Sequence, residues 1–158
     1  SSDVCSSDLV GSGLLIATAC DFRISTNDAR FGIPVAKTLG NCLSPSNLSW
    51  IAHHLGVPMV KRMLLTAELI QAPELMNAGY LYQTTSPEEI TGAAELLASK
   101  LAALAPITQK ASKVTLARLM ESNLPDCTEL MRETYNSVDF KEGVNAFLEG
   151  RSPKWLGK

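Results

Sequence analysis

Apolar and polar positions along this chain of 158 residues change period several times. After Val10, "GSGLLIATAC" opens on a Gly-Ser-Gly turn and continues with almost no polar position, which predicts a short helix buried on all sides. "DFRIST" alternates and predicts a strand, "NDA" a turn, and "RFGIP" a short extended piece. Residues 45–56 have Pro45 and Ser46 in front and Gly56 behind, the start and stop signals of a helix. Residues 57–69 predict a second helix, apolar at Val60, Met63 and Leu64. "QAPELMNAGYLYQTT" predicts a short helix stopped by Gly79, then a strand with Tyr80 and Tyr82 on one side. Further on, Ser86 is placed to cap, Glu88 and Glu89 fall in a first turn, and Ile90, Ala94, Leu97 and Leu101 form one stripe. Pro106 restarts a helix to about Met120. A loop over 122–127 then leads to two last helices, "TELMRETYNS" and "DFKEGVNAFLEGR".

The pattern is an α/β chain, poor in strands at the front and helical behind, with little sheet for its helices to cover. A hydrophobic content of 46% with 19% charged residues belongs to a globular chain rather than a disordered one. A net charge of -2 without a basic run excludes an electrostatic footprint for nucleic acid. The longest apolar stretch falls far short of the roughly 20 residues that cross a bilayer, and it lacks signal-peptide flanks, so no membrane partner is expected. Cys5, Cys20, Cys42 and Cys127 are scattered, and no His pair has ligand spacing. Metal binding is therefore disfavoured, and reduced thiols in a cytoplasmic compartment are expected.

Three motifs stand in order: Gly11-Ser12-Gly13 with Cys20-Asp21 and Phe31-Gly32-Ile33-Pro34; "LLTAELIQAPELMNAGYL"; and "DFKEGVNAFLEGRSPKWLGK". Together they resemble the crotonase family of enoyl-CoA hydratases and isomerases over residues 10–158. The resemblance implies an α/β fold: the C-terminal part of a ββα spiral over 10–85, then a helical trimerisation region over 86–158. It also implies a truncated product, an acyl-CoA thioester as substrate, no cofactor beyond the CoA moiety, and a homotrimer or dimer of trimers. The family's oxyanion-hole amide falls on Ser12, beside Gly13, and serine there is expected to fit the tight turn less well than glycine. The two positions where hydratases keep glutamates fall on Leu15 and Val35, and neither side chain can transfer a proton. One reading is an enolate-forming thioester enzyme lacking both usual carboxylates. The other is a non-catalytic acyl-CoA-binding or oligomer-partner homologue. Arg151, Lys154 and Lys158, with Lys141 nearby, are candidates for the CoA phosphates of a neighbouring subunit.

Other polar residues invite structural readings. Asp21 is expected to fix a turn, and Cys42 to be a buried structural thiol. His53 and His54, adjacent on a helix, cannot share a face, so one should meet solvent and the other pack. Asn41, Ser44, Ser46 and Asn47 are the polar groups left near Val35. The opening nine residues, "SSDVCSSDL", lack any period. Back-translated in one frame they resemble the end of a sequencing-library adapter, so residues 1–9 are expected to be foreign to the domain.

Overall fold

The computed structural model describes residues 2–5, 8–121 and 126–157. The order is β1 (Ser2–Cys5), β2 (Leu9–Val10), α1 (Ser12–Ala19), β3 (Phe22–Thr26), β4 (Arg30–Gly32), α2 (Pro45–Leu55), α3 (Val57–Leu65), β5 (Ile70–Gln71), α4 (Ala72–Asn77) and β6 (Gln83–Thr85). The helices α5 (Ile90–Ala102), α6 (Pro106–Glu121), α7 (Thr128–Asn136) and α8 (Val138–Glu149) complete it. Most of the expected loop over 122–127 lies outside the described residues.

The strands form two small sheets. One has the order β1-β3-β6 and is parallel throughout, with Val4 opposite Ile24 and Ser25 opposite Thr84. The other has the order β2-β4-β5, with β2 parallel and β5 antiparallel to β4. The first strand lies inside the stretch expected to be foreign. Ladder pairing uses N–H and C=O groups that nearly every residue carries, so the open edge of β3 accepts an extended neighbour whatever its side chains.

Four expectations are corrected. The first helix is not buried all round. Leu14, Ala17 and Thr18 face inward at helical spacing while Ile16 stays 66% exposed. The second correction is to α3, which stops at Leu65 rather than running to 69. Ala67 takes a left-handed φ of 54°, and the Thr66 hydroxyl donates to the Arg62 carbonyl at 2.5 Å. Arg62 also pairs with both Glu68 and Glu74, which fastens the turn and leaves Ile70–Gln71 extended as β5. Third, Tyr80 and Tyr82 precede β6 instead of sharing a side of it. Tyr80 is buried against the first core, and Tyr82, partly exposed, sets its ring edge-on to Phe22 of the second. Fourth, Ser86 does not cap α5. Its hydroxyl and that of Thr85 donate to the Glu89 carboxylate, each at 3.0 Å. The Thr85 bond, then the Ser86 bond, hold Glu89 below the usual carboxylate range.

The larger core gathers Leu14, Phe31, Ile33, Ile51, Met63 and Ile70. The smaller one seats Ile24 under Ile90 and Leu97, with Ala94 and Leu101 beside them, so the α5 stripe packs as expected. Arg23 links the two and is only 6% exposed. Its Nε–H donates to the Tyr80 carbonyl at 2.7 Å, and its Nη1 donates to the carbonyls of Cys20 at 2.5 Å and Ala17 at 3.3 Å. The guanidinium also lies 4.5 Å from the centre of the Tyr80 ring. By contrast, α6 exposes Ile107 (82%) and Leu119 (64%). No single described helix is long and apolar enough to cross a membrane; α5 and α6 pass such a test only together and are bent by 105°.

Backbone approach sets the glycines that matter. A Cβ on Gly32 would lie 2.6 Å from Leu69 Cδ2 and 2.9 Å from the Glu68 carbonyl oxygen. A Cβ on Gly143, buried in α8, would overlap the Leu39 carbonyl. Gly92 in α5 has nothing within 4 Å of that position.

Two tests follow from this packing, both read by chemical denaturation. Gly143→Ala should lose about 2–3 kcal/mol by overpacking, while Gly92→Ala should gain roughly 0.5–1 kcal/mol from helix propensity. Arg23→Met should lose about 3 kcal/mol because it removes three hydrogen bonds to backbone carbonyls, and Arg23→Lys should recover only part, having no planar fork.

Candidate functional site

The short sheet β2-β4 joins the first motif to the second half of the same pattern. Val10 pairs with Gly32, and the Gly11 N–H donates to the Gly32 carbonyl at 2.9 Å. The Gly-Ser-Gly turn therefore sits beside the strand that runs into Ile33, Pro34 and Val35. Gly11 has φ 64° and ψ -125°, a conformation open to glycine, and Ser12 is the first residue of α1. This corrects the expected strain at Ser12: the unusual φ falls one residue earlier.

That turn leaves a particular chemistry. The N–H groups of Ser12 and Gly13 belong to the first helical turn and have no intrahelical acceptor. Gly11 offers no side chain to cap them. Ser12 is exposed, so these amides and the positive end of the helix dipole meet whatever lies over the turn. An oxygen that gains negative charge there would be stabilised by a preorganised donor, worth on the order of 3 kcal/mol per amide.

Leu15 and Val35 are both half-buried, and each packs against the larger core, which includes Leu14 and Ile33. No carboxylate occupies either position. Val35 begins a tight loop in which the Val35 N–H donates to the Ile33 carbonyl and the Gly40 N–H to the Val35 carbonyl, both at 2.8 Å. Beyond it, Asn41 Oδ1 is shielded from solvent and has no hydrogen-bond partner. Cys42 is half-buried rather than buried, and its carbonyl accepts from the Tyr135 hydroxyl at 3.3 Å. Ser44, not Ser46, caps α2 by accepting the Asn47 N–H at 3.3 Å, a role hidden in the sequence by the serine on each side of Pro45.

The remaining candidates lie apart. His53 is exposed; His54 is half-buried, stacks on Trp50 at 5.7 Å, and donates Nδ1–H to the Trp50 carbonyl at 2.7 Å. Burial pushes its pKa down. Asp21 does more than fix a turn, since it pairs with Lys113 Nζ of α6 at 2.6 Å. A cavity of about 700 Å³ lined by Trp50, His54, Leu104, Lys113 and Leu116 also borders Ala19 and Cys20. It lies at the end of α1 away from Ser12, about 12 Å along the helix. Arg151 is held by Glu142 and Glu149, each at 2.6 Å. The Arg151 hydrogen bond, then the Lys154 N–H, pull Glu142 down to about 2. Lys141 and Lys154 are exposed, and Lys158 lies outside the described residues. Among the described residues, no group of three or more His, Cys, Asp or Glu side chains is placed to hold a metal ion.

Comparison with known proteins agrees with this arrangement. Residues 7–158 match the sequence profile of the family described as Enoyl-CoA hydratase/isomerase. A short-chain-enoyl-CoA hydratase of Clostridium acetobutylicum is 30% identical over 90% of this chain and 56% of its own length. A 2,3-dehydroadipyl-CoA hydratase of Escherichia coli is 30% identical over 94% of this chain and 60% of its own. The chain thus spans little more than half the length of these relatives. Among solved structures, a methylmalonyl-CoA decarboxylase superposes with a TM-score of 0.91 at 25% identity, over 99% of this chain and 65% of that one. A carnitinyl-CoA hydratase from Mycobacterium avium superposes with a TM-score of 0.82 at 26% identity, over 96% of this chain and 60% of that one. With its glycine turn seated on β4 and its fold that of these enzymes, the chain belongs to the enoyl-CoA hydratase/isomerase family, the crotonases.

Proposed function

We propose that this chain forms part of an acyl-CoA thioester site in which the Ser12 N–H, with Gly13 beside it, holds the thioester oxygen as it becomes an enolate. The observation behind this reading is the uncapped start of α1 seated on β4, with apolar Leu15 and Val35 each packed against the larger core. An enolate can arise by removal of an α-proton, which needs a base, or by loss of CO2 from a 2-carboxyacyl thioester, which needs none. In the second route the C–C bond to the carboxylate breaks, its electron pair enters the enolate, and water later protonates the α-carbon. Leu15 and Val35 suit that route. They supply no base, and they set apolar surface where carboxylates would repel a substrate carboxylate. The decarboxylase among the structural neighbours supports this choice. The sequence relatives are hydratases and favour hydration as a second reading.

Three further parts of the reading concern assembly and surroundings. Arg151 is committed to two carboxylates, so Lys154 is the freer of these two cations for CoA phosphates, with Arg151 able to join only by giving up a partner; Lys158 is a further candidate by its place in the sequence. The apolar surface of α6 suits a homotrimer or dimer of trimers. The free thiols of Cys20, Cys42 and Cys127 suit a reducing, cytoplasmic compartment.

The chemistry is tested by offering the protein methylmalonyl-CoA and crotonyl-CoA. CO2 release is expected from the first and no hydration of the second above the buffer rate. Val35→Glu should slow CO2 release about tenfold or more, through repulsion of roughly 1.4 kcal/mol. Hydration of crotonyl-CoA by the unaltered chain would overturn the decarboxylase reading, and thioester binding without any turnover would favour the non-catalytic homologue. For assembly, Ile107→Lys combined with Leu119→Lys should shift the sedimentation coefficient to that of a monomer. An unchanged oligomer would remove α6 from the interface.

A further inference from the structure

The C-terminal motif residues occupy one continuous contact with the loop that follows Val35. Ser137 starts α8 by accepting the Phe140 N–H at 2.9 Å, which aims the helix back across the loop. Gly143 then meets the Leu39 backbone with no room for a side chain. After Gly150, whose left-handed φ of 67° ends α8, the chain reverses. Glu142 accepts the Lys154 N–H at 2.9 Å while pairing with Arg151. Asp139 accepts the N–H groups of Leu156 at 2.6 Å and Gly157 at 2.8 Å, one on each carboxylate oxygen. These bonds lay the Trp155 ring over Gly40, where a Cβ would stand 3.0 Å from Cζ3. Gly40 has φ 64°, and its N–H closes the loop onto the Val35 carbonyl. Tyr135 of α7 adds a bond to the Cys42 carbonyl.

We infer that residues 137–157 are a positioning strap, pinned by Asp139 and Glu142, through which Trp155 and Gly143 of the same chain hold the 35–43 loop and so set Val35 against the site. Without the strap the middle of that loop, around Thr38 and Gly40, keeps its own short hydrogen bonds, which open readily in an exposed turn, while Val35 and Leu43 stay packed on the core and Tyr135 stays bonded to Cys42. Charged acceptors on backbone N–H groups suit the pinning task, because such bonds are about twice as strong as neutral ones. Asp139, Glu142 and Trp155 are positioning residues and touch no reacting group. The role given to Val35 rests on the acyl-CoA reading above; the mechanical contact does not.

Amide hydrogen exchange on the 158-residue chain separates the two. Asp139→Ala and Trp155→Ala should each speed exchange at Thr38 and Gly40 by about tenfold, with Ile24 and Met63 unchanged. Trp155→Phe, which keeps a ring over Gly40, should stay within about twofold of the unaltered chain, and Asp139→Asn should fall between. In a Trp50→Phe background Trp155 is the sole tryptophan, and its emission should shift to the red in Asp139→Ala. Release of the Leu156 and Gly157 amides without any change at Thr38 and Gly40 would overturn the strap. Equal acceleration at Ile24 and Met63 would overturn it too, because a strap acts locally. Loop protection that fades on dilution would give the contact to a second copy and overturn the assignment within one chain. Propionyl-CoA binding is measured on the same variants. If the exchange pattern holds and the unaltered chain, measured alongside, binds no thioester, the strap stands and the acyl-CoA reading falls.

Discussion

The buried guanidinium of Arg23 is the contact on which the rest of this arrangement depends. A buried cation without a carboxylate is ordinarily costly. Here it is placed where three carbonyls converge: Ala17 and Cys20 at the end of α1, and Tyr80 at the crossing between α4 and β6. Helix C-termini attract positive charge, and the Tyr80 ring adds a further face. The Tyr80 hydroxyl shares a 2.9 Å bond with Thr18 Oγ1 on α1, and its ring meets Phe31 edge-on in the larger core. One arginine and one tyrosine thus tie α1, both sheets and the crossing into a single block.

This junction bears on the site through α1. An eight-residue helix can be held at one end and left chemically open at the other. Its C-terminal carbonyls are satisfied by Arg23, which fixes direction and depth. Its N-terminal amides have no cap, because the preceding residue is Gly11 and the turn is closed instead by the Gly11 N–H on Gly32. A serine, threonine or aspartate at position 11 could accept hydrogen bonds from those amides with its side-chain oxygen and would fill the place an oxyanion needs. Glycine leaves them open and also tolerates the positive φ that the turn requires.

The sequence makes some of this legible and hides the rest for physical reasons. Local signals worked where they were local. The Gly-Ser-Gly turn, Pro45, Gly79 and the Ile90 to Leu101 stripe each announced an element that is there. Signals failed where a distant group decided the outcome. Arg23 reads as surface by residue type, and only three carbonyls brought from elsewhere make it a core residue. Tyr80 and Tyr82 look equivalent at alternate positions, yet Arg23 draws one inward and Lys100 lies near the ring of the other. β5 was invisible because Ala67 breaks α3 through a backbone conformation that alanine rarely adopts. For the site, motif order named Ser12, Leu15 and Val35 as candidates, but could not say that the unusual φ falls on Gly11 rather than on the serine.

The pairing of apolar Leu15 and Val35 with an open helix N-terminus has a consequence for what this surface can favour. A carboxylate at either position would add negative potential to the surroundings that an enolate must enter. With leucine and valine there, the positive potential of the turn is uncompensated, and the nearby apolar surface lowers the local dielectric. Such a site gains most when a charge migrates from a carboxylate at the apolar rim to an oxygen at the amides, because the starting position is poorly solvated and the final one is preorganised. Proton abstraction would need a base that neither Leu15 nor Val35 supplies. On the proposed reading, Leu15 and Val35 would leave the stabilisation of an enolate at the Ser12 and Gly13 amides intact.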